Sequence, residues 1–430
     1  MTWDFSTDPA FESKLQWMRE FVREEIYPLE TLPLTWHSFR RMIEPLKEQV
    51  KAQGLWAAHL GPELGGQGYG QVKLGLMHEI LGGSELAPPA FGNQAPDSGN
   101  SELVALAGTE EQKQRWLTPL LAGDIYSAIS MTESGTGSDP RQFTTRAVRD
   151  GSDWILHGTK FMVGNANRSD VHFVMARTDL DPEANPYSAM SMFIVPTDLP
   201  GVSSRFLGTM SDPEARGVVH THGEVTYADV RLPAESLLGA EGAAFTLAQQ
   251  RLGPGRIHHC MRWLGVCRRA FDAMCERAVS KSLRGGLLSE KQTIQNWVAD
   301  SAAAMEAARL LTLKTAWKVD TEGVAAARTE IAMIKYFGAT VMHDVLDRAI
   351  QIHGALGFST DLPLEEMYRW SRAARIYDGP DEVHRMVVAR NVLRGYTPRP
   401  VPTEHVPTRR VKAMERFASR LAELPPDAGR

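Results

Sequence analysis

The chain has 430 residues, 43% hydrophobic and 23% charged, enough for two or three domains around a substantial core. Its formal net charge of −5 and pI near 6.2 argue against a nucleic-acid partner held by phosphate electrostatics. No apolar run approaches the ~18 residues a membrane span needs, so no membrane partner is expected.

In chain order, the first ~125 residues read as helical. Phe11–Tyr27 and His37–Gln53 carry apolar residues at helical spacing. The opening stretch MTWDFSTDPAFESKLQWMREFVREE is acid-rich and lacks the apolar core of a secretory leader. A cytoplasmic location is expected. The glycine-rich run 61–70 fits neither GxGxxG nor GxxxxGK[ST] and precedes a third helix, Gln71–Leu81. Thr109–Leu121 is a fourth, with Thr109 as N-cap and Gln112 three residues on.

The pattern changes near Tyr126. Short β-branched and aromatic runs follow: Thr145–Val148, Trp154–His157, Val171–Arg177, Ser191–Val195, Val218–His220 and Glu224–Tyr227. They predict a compact barrel or sandwich. From about Gly242 to Val392 the chain is helical again, broken at Gly285-Gly286 and at Asp320–Gly323. Cys260, Cys267 and Cys275 predict one core-facing helix stripe and a reducing compartment. No HExxH or paired CxxC suggests a metal. The tail is expected to carry one short helix near Val411–Leu424. The expected fold is mainly α with a β middle domain. Its parts are an N-terminal helical domain (1–125), a small β-barrel (126–238), a C-terminal four-helix bundle (239–395) and a tail (396–430).

Three segments carry the chemistry. Ala128–Asp139 alternates hydroxyls with glycines and can present N–H and O–H groups to a polar ring or a phosphate, although a solvated loop has the same composition. Trp154–Ala166 reads as a hairpin. In Tyr377-Asp378-Gly379-Pro380-Asp381-Glu382, a tight turn aims one carboxylate; a purely structural Asp-Gly turn would look the same.

Taken together, these segments resemble the acyl-CoA dehydrogenase family. The first is similar to that family's Thr-Glu-Pro-x-Ala-Gly-Ser-Asp motif, with Ser134 in place of proline. The second is similar to Trp-x-x-Asn-Gly-x-Lys-x-Trp-Ile-Thr-Asn. Thr226–Pro233, Arg251-Leu252, Gln351–Gly357 and Tyr377–Glu382 complete the set, in the family's order. The stretches Arg251–Arg262 and Asp378–His384 look like the subgroup of family members 10 and 11.

The resemblance implies FAD-dependent α,β-dehydrogenation of an acyl-CoA thioester. Asp378 would take the α-proton, flavin N5 the β-hydride, and an electron-transfer flavoprotein the electrons. Arg251 would support the base loop. Ile129, Met131, Thr132, Met162 and Gly164 match flavin-contacting positions, and Pro380 and Glu382 a further FAD contact. Lys281, Arg284, Gln292, Gln351, Gly354 and Ala355 match positions that hold the FAD of a neighbouring subunit, so a homodimer or homotetramer is implied. Ser138, Gln250, His258 and Gly379 are the substrate-binding candidates. His258 or His259 is a candidate to meet a polar group, such as a hydroxyl, on the acyl chain; helix histidines satisfied within the fold are the plainer reading. A closed, dry site is expected to raise the base's pKa.

The chain departs from the family at several of these positions. Asp378 stands where most members carry glutamate, and is shorter by one C–C bond, about 1.5 Å. Met162 replaces tryptophan, Gly164 a hydroxyl residue, Lys281 arginine, Arg284 phenylalanine, and Pro380 a residue with hydroxyl and N–H groups. A flavin oxidase of the same fold, similar to nitroalkane oxidases, is the alternative activity. A DNA-binding flavoprotein relative would need a basic C-terminal surface, whereas Glu415 and Glu423 are interspersed with Arg409, Arg410 and Lys412.

Overall fold

The computed structural model describes residues 7–398, except 65, 215, 216 and 220, together with 406–424. The chain forms two compact units, Met1–Arg385 and Met386–Arg430.

In the first unit, helix α1 (Pro9–Phe21) starts at Asp8, whose carboxylate accepts the Phe11 N–H at 2.9 Å. The helix predicted to run to Tyr27 instead changes to a π turn over Val22–Ile26 and a 3-10 turn over Tyr27–Thr31, where Pro28 supplies no N–H. Helices α2 (Trp36–Ala52), α3 (Gly70–Leu81) and α4 (Asp97–Ala107) follow. Thr109 and Gln112 form the predicted capping box, but the helix beyond it is interrupted by a π turn at Lys113–Leu117.

The middle of the chain is an eight-stranded sheet. Its strands are β1 (Ser127–Ser130), β2 (Arg146–Asp150), β3 (Asp153–Gly164), β4 (Val171–Arg177), β5 (Met190–Pro196), β6 (Val202–Leu207), β7 (His222–Leu232) and β8 (Leu237–Leu238). The order is β6-β7-β3-β2-β4-β5-β8, with β1 paired parallel to β4. Trp154–Ala166 is therefore not a hairpin. It is one long strand and its exit, irregular between Lys160 and Val163. Val218 and Val219 lie in a bend rather than a strand, and His220 lies outside the described residues. β1, β6 and β8 went unpredicted: β1 and β8 are only four and two residues long, and β6 is mostly exposed and polar.

Three long helices follow: α5 (Ala244–Ser280), α6 (Gln292–Glu322) and α7 (Arg328–His353). The shorter α8 (Leu364–Ser371) and α9 (Asp381–Leu393) come after them. All three cysteines lie on α5. Cys260 and Cys267 are buried, but Cys275 is only partly so, because the drift of 7- and 8-residue steps carries it off the core face. One apolar core joins α1–α3 to the bundle through Leu15, Met77, Trp263 and Leu346. A second seats α4 and the start of α5 on the sheet through Leu103, Phe173 and Leu247. A third fills the sheet's interior around Trp154, Phe193 and Tyr227. α3 and α5 cross at glycines: a Cβ on Gly265 would lie 2.2 Å from Glu79 O, and one on Gly82 would lie 2.0 Å from Arg262 O. This backbone-to-backbone approach brings α3 side chains against the α5 residues around His258.

The second unit contains α10 (Val406–Arg416) and a short helix at Ala418–Ala422, where one helix was predicted. Its Val411, Met414, Leu421 and Leu424 are exposed. No helix among the described residues is long and apolar enough to cross a membrane.

Candidate active site

Asp378 follows a short 3-10 turn and adopts φ 54°, the left-handed region that aspartate tolerates better than most residues. Gly379 follows at φ 100°. A Cβ on Gly379 would lie 2.8 Å from His384 Nε2, so both backbone conformation and space require glycine. The turn is held from three sides. Arg256 Nε donates to the Asp378 carbonyl at 3.0 Å, His384 Nε2 to the same oxygen at 3.1 Å, and buried Lys335 Nζ to Ala374 O at 2.6 Å. The Asp378 carboxylate meets α5: His259 Nε2 lies 3.2 Å from Oδ2.

Burial alone would raise the Asp378 pKa. The hydrogen bond from His259 and the charges of Arg256 and Arg251 outweigh it and hold the carboxyl well below the usual range. The expected upward shift is therefore corrected: the surrounding cations, which sit on separate turns of α5, dominate over dryness. Burial and the nearby Arg262 charge push His259 down to about 4, so it is neutral at physiological pH.

A polar chain runs from Arg251, near the Asp378 turn, to the sheet. Arg251 is buried, interacts with the Asp378 charge, and donates from Nε to Asn100 Oδ1 at 3.2 Å. Asn100 Nδ2 donates to Ser127 Oγ at 2.9 Å, and Asp97 accepts the Ser127 N–H at 2.6 Å. Ser127 begins β1, which leads into Ile129, Met131 and Thr132.

That loop is pinned to β3 by a buried ion pair. Lys160 Nζ donates to Glu133 Oε1 at 2.9 Å and to Met131 O at 2.7 Å. Glu133 also accepts the Thr144 and Thr145 N–H groups at 2.7 and 2.9 Å. Burial opposes the Glu133 charge, but Lys160 and these donors hold its pKa at about 2. The Phe161 N–H donates to Thr132 O at 2.8 Å, which sets Thr132 beside Met162. Met162 occupies the strand irregularity at φ 56° and its side chain is thrown outward, 42% exposed. Nothing lies within 4 Å of a Cβ placed on Gly164. Across the strand pair from Gly164, His222 Nδ1 is buried with no hydrogen-bond partner among the described residues. An open ledge with a polarisable thioether, fixed loop atoms and an unsatisfied ring nitrogen fits the edge of a flat heteroaromatic group.

Ser138 and Gln250 are exposed, Pro380 partly exposed and Glu382 exposed. His258 is buried; its Nε2 meets Gln71 Oε1 at 3.0 Å and its ring stacks on His78 at 4.4 Å. Lys281, Arg284 and Gln292 are exposed where α5 turns into α6, and Arg284 has φ 51°. Gln351, Gly354 and Ala355 are exposed at the end of α7, with Gln351 lining a groove beside Trp297 of α6. Thirty residues of helix separate Arg251 from Lys281, roughly 45 Å at ~1.5 Å per residue. One chain does not bring the two groups together.

The comparisons with known proteins decide the family. Profiles for the acyl-CoA dehydrogenase N-terminal, middle and C-terminal domains match residues 12–124, 128–221 and 242–393. The chain belongs to the acyl-CoA dehydrogenase family. It is an enzyme of a flavin-dependent class, and the expected helical–sheet–helical fold is the family's. It is similar to the probable acyl-CoA dehydrogenase FadE2 of Mycobacterium tuberculosis, with 43% identity over 83% of this chain and 87% of that one. Acyl-CoA dehydrogenase family member 11 of Rattus norvegicus is 40% identical over 88% of this chain but only 49% of its own length, so the chain spans about half of that relative. Among solved structures, a Mycobacterium abscessus protein assigned to the acyl-CoA dehydrogenases superposes with TM-score 0.85, at 35% identity over 91% of this chain and all of that one. A Mycobacterium smegmatis glutaryl-CoA dehydrogenase in complex with FADH2 superposes with TM-score 0.76, at 25% identity over 91% and 97%.

Asp97, Asn100, Glu133, Arg256, Lys335 and His384 escaped the sequence reading. Glu133, Arg256 and His384 lay inside motif stretches but were given no role; Asp97, Asn100 and Lys335 come from elements whose packing the sequence does not print.

Proposed function

We propose that the chain carries out FAD-dependent α,β-dehydrogenation of an acyl-CoA thioester, with Asp378 as the base that removes the α-proton. The observation that carries this reading is the Asp378 turn itself. A carboxylate is held ionised in a left-handed turn, with its carbonyl clamped by Arg256 and His384 and its side chain anchored on α5. A carboxylate this stabilised is a weak base. The thioester's α-proton must therefore be made more acidic by donors to its carbonyl, and we assign the Asp378 backbone N–H to that task. Arg251 keeps the carboxylate charged and ties its position to β1 through Asn100.

Ile129, Met131, Thr132, Met162 and Gly164 would hold the flavin ring, with Pro380 and Glu382 beside the base. When bound, FAD supplies the two-electron acceptor for the β-hydrogen. Lys281, Arg284, Gln292, Gln351, Gly354 and Ala355 would hold the rest of the FAD bound to a second copy of the chain. The roughly 45 Å of helix between Arg251 and Lys281 supports this reading. The working form would then be a homodimer or homotetramer, with an electron-transfer flavoprotein as the acceptor. Ser138, Gln250 and Gly379 would line the path of the thioester.

The acyl chain is proposed to carry a polar group such as a hydroxyl. The supporting observation is His78: both ring nitrogens are buried without hydrogen-bond partners among the described residues, and the ring stacks on His258. An unpaired buried imidazole costs on the order of 1–3 kcal/mol, which a ligand hydroxyl would recover.

The test is anaerobic bleaching of the flavin absorbance across paired plain and hydroxylated acyl-CoAs. Bleaching by some of them is expected, faster for hydroxylated ones. If none bleaches it, the dehydrogenase reading fails.

A further inference from the structure

One α5 side chain touches the proposed base directly. His259 Nε2 lies 3.2 Å from Asp378 Oδ2. Its other ring nitrogen is occupied: Arg262 Nη2 donates to His259 Nδ1 at 2.9 Å. A guanidinium can only donate. Nδ1 must therefore be the acceptor, and the ring proton must sit on Nε2, facing the carboxylate. Arg262 is itself fixed, because it is buried and its Nη1 donates to Asn93 O at 3.1 Å. The ring is also held by neighbours, with Tyr377 centred 5.1 Å and Trp263 6.4 Å away. Both nitrogens are engaged, so His259 has none left for a hydroxyl on the acyl chain.

The aspartate makes such an anchor necessary. Its carboxylate stops about 1.5 Å short of where a glutamate would reach, and misplacement by ~1 Å can cost ~100-fold in rate. The hydrogen bonds described for Asp378, from Arg256 and His384, hold its carbonyl, so the 3.2 Å contact with His259 is the one described that acts on its side chain.

We infer that His259 is a positioning residue for Asp378: with Arg262 fixing its tautomer, His259 anchors Oδ2 and leaves Oδ1 as the oxygen that accepts the α-proton. The inference rests on the proposed role of Asp378 as base, but its central content is the side chain's orientation, which can be measured without turnover.

The experiment compares wild-type holoenzyme with His259→Phe, which keeps the ring between Tyr377 and Trp263 and removes the donor, and with His259→Gln, whose amide N–H replaces Nε2–H. Crystal structures of the three read the Asp378 side-chain conformation. Anaerobic rapid mixing reads the flavin-reduction rate constant and the half-saturating acyl-CoA concentration. In His259→Phe the Asp378 carboxylate is expected to leave its wild-type rotamer. The rate constant should fall about 100-fold with half-saturation within threefold. In His259→Gln the rotamer should persist and the rate stay within tenfold of wild type. An unchanged Asp378 rotamer in His259→Phe overturns the inference whatever the rates, as does His259→Gln matching the loss in His259→Phe. If His259→Phe does not fold, His259→Leu, which also removes the donor, takes its place with the same criteria. If no acyl-CoA reduces even the wild type, the dehydrogenase reading fails separately, and the rotamer comparison still decides the anchoring.

Discussion

Lys160 and Glu133 form an ion pair 2.9 Å long whose side chains are 0% and 5% exposed, and the pair fixes the Met131–Thr132 loop against β3. Burial lowers the Lys160 pKa to about 8, which shows how little solvent shares that charge. Lys160→Met would leave the Glu133 carboxylate buried with only its Thr144 and Thr145 donors. A loss of about 3–5 kcal/mol is expected, read as a lower denaturant midpoint, together with weaker flavin retention. A midpoint within experimental error of wild type would show that the pair does not hold the loop.

Gly379 is the tightest point of the base turn. Gly379→Ala forces a Cβ to within 2.8 Å of His384 Nε2 at φ 100°. The strain is of order 1–3 kcal/mol, and relieving it moves the adjacent carboxylate. The flavin-reduction rate constant is expected to drop about 100-fold in a protein that still binds flavin. A wild-type rate constant would mean that the turn tolerates the shift.

Glu102 on α4 is pushed up to about 8 by burial, with the nearby Arg251 charge only partly offsetting this. Its folded pKa lies above its unfolded value near 4.5. Its contribution to stability is therefore fully present below about pH 4.5 and is lost as pH rises toward 8. Glu102→Gln removes that loss. Its stability relative to wild type should grow between pH 5 and pH 8, on the order of a few kcal/mol by the upper end. Thermal melts at the two pH values check this, and a constant offset would contradict it.

The second proposed FAD-binding group lies far along the bundle. Arg284→Glu reverses a charge on an exposed turn with φ 51°. Purified Arg284→Glu should carry markedly less FAD at unchanged helix content by circular dichroism. Full FAD occupancy would remove Arg284 from the proposed site.

The sequence disclosed what lies within one segment and little of what lies between segments. The Thr109 capping box and the strand Val171–Arg177 were legible, because caps and short β-branched and aromatic runs are local. Asp378 stood out in its Asp-Gly-Pro turn for the same reason. The direction of its pKa shift was not legible, because it is set by His259, Arg256 and Arg251, which reach it from 119 or more positions away in the chain. Asp97 and Asn100, whose bonds to Ser127 join Arg251 to the sheet, have no motif of their own. Trp154–Ala166 was misread as a hairpin because Gly158 has turn composition, yet it lies within the single strand β3.

The most direct measurement of the central claim is the flavin-reduction rate constant of Asp378→Asn. The substitution preserves size and removes the base, so flavin should remain bound while reduction by an acyl-CoA that bleaches the wild type falls by at least ~100-fold. Reduction at a rate comparable to wild type would place the base elsewhere and contradict the account.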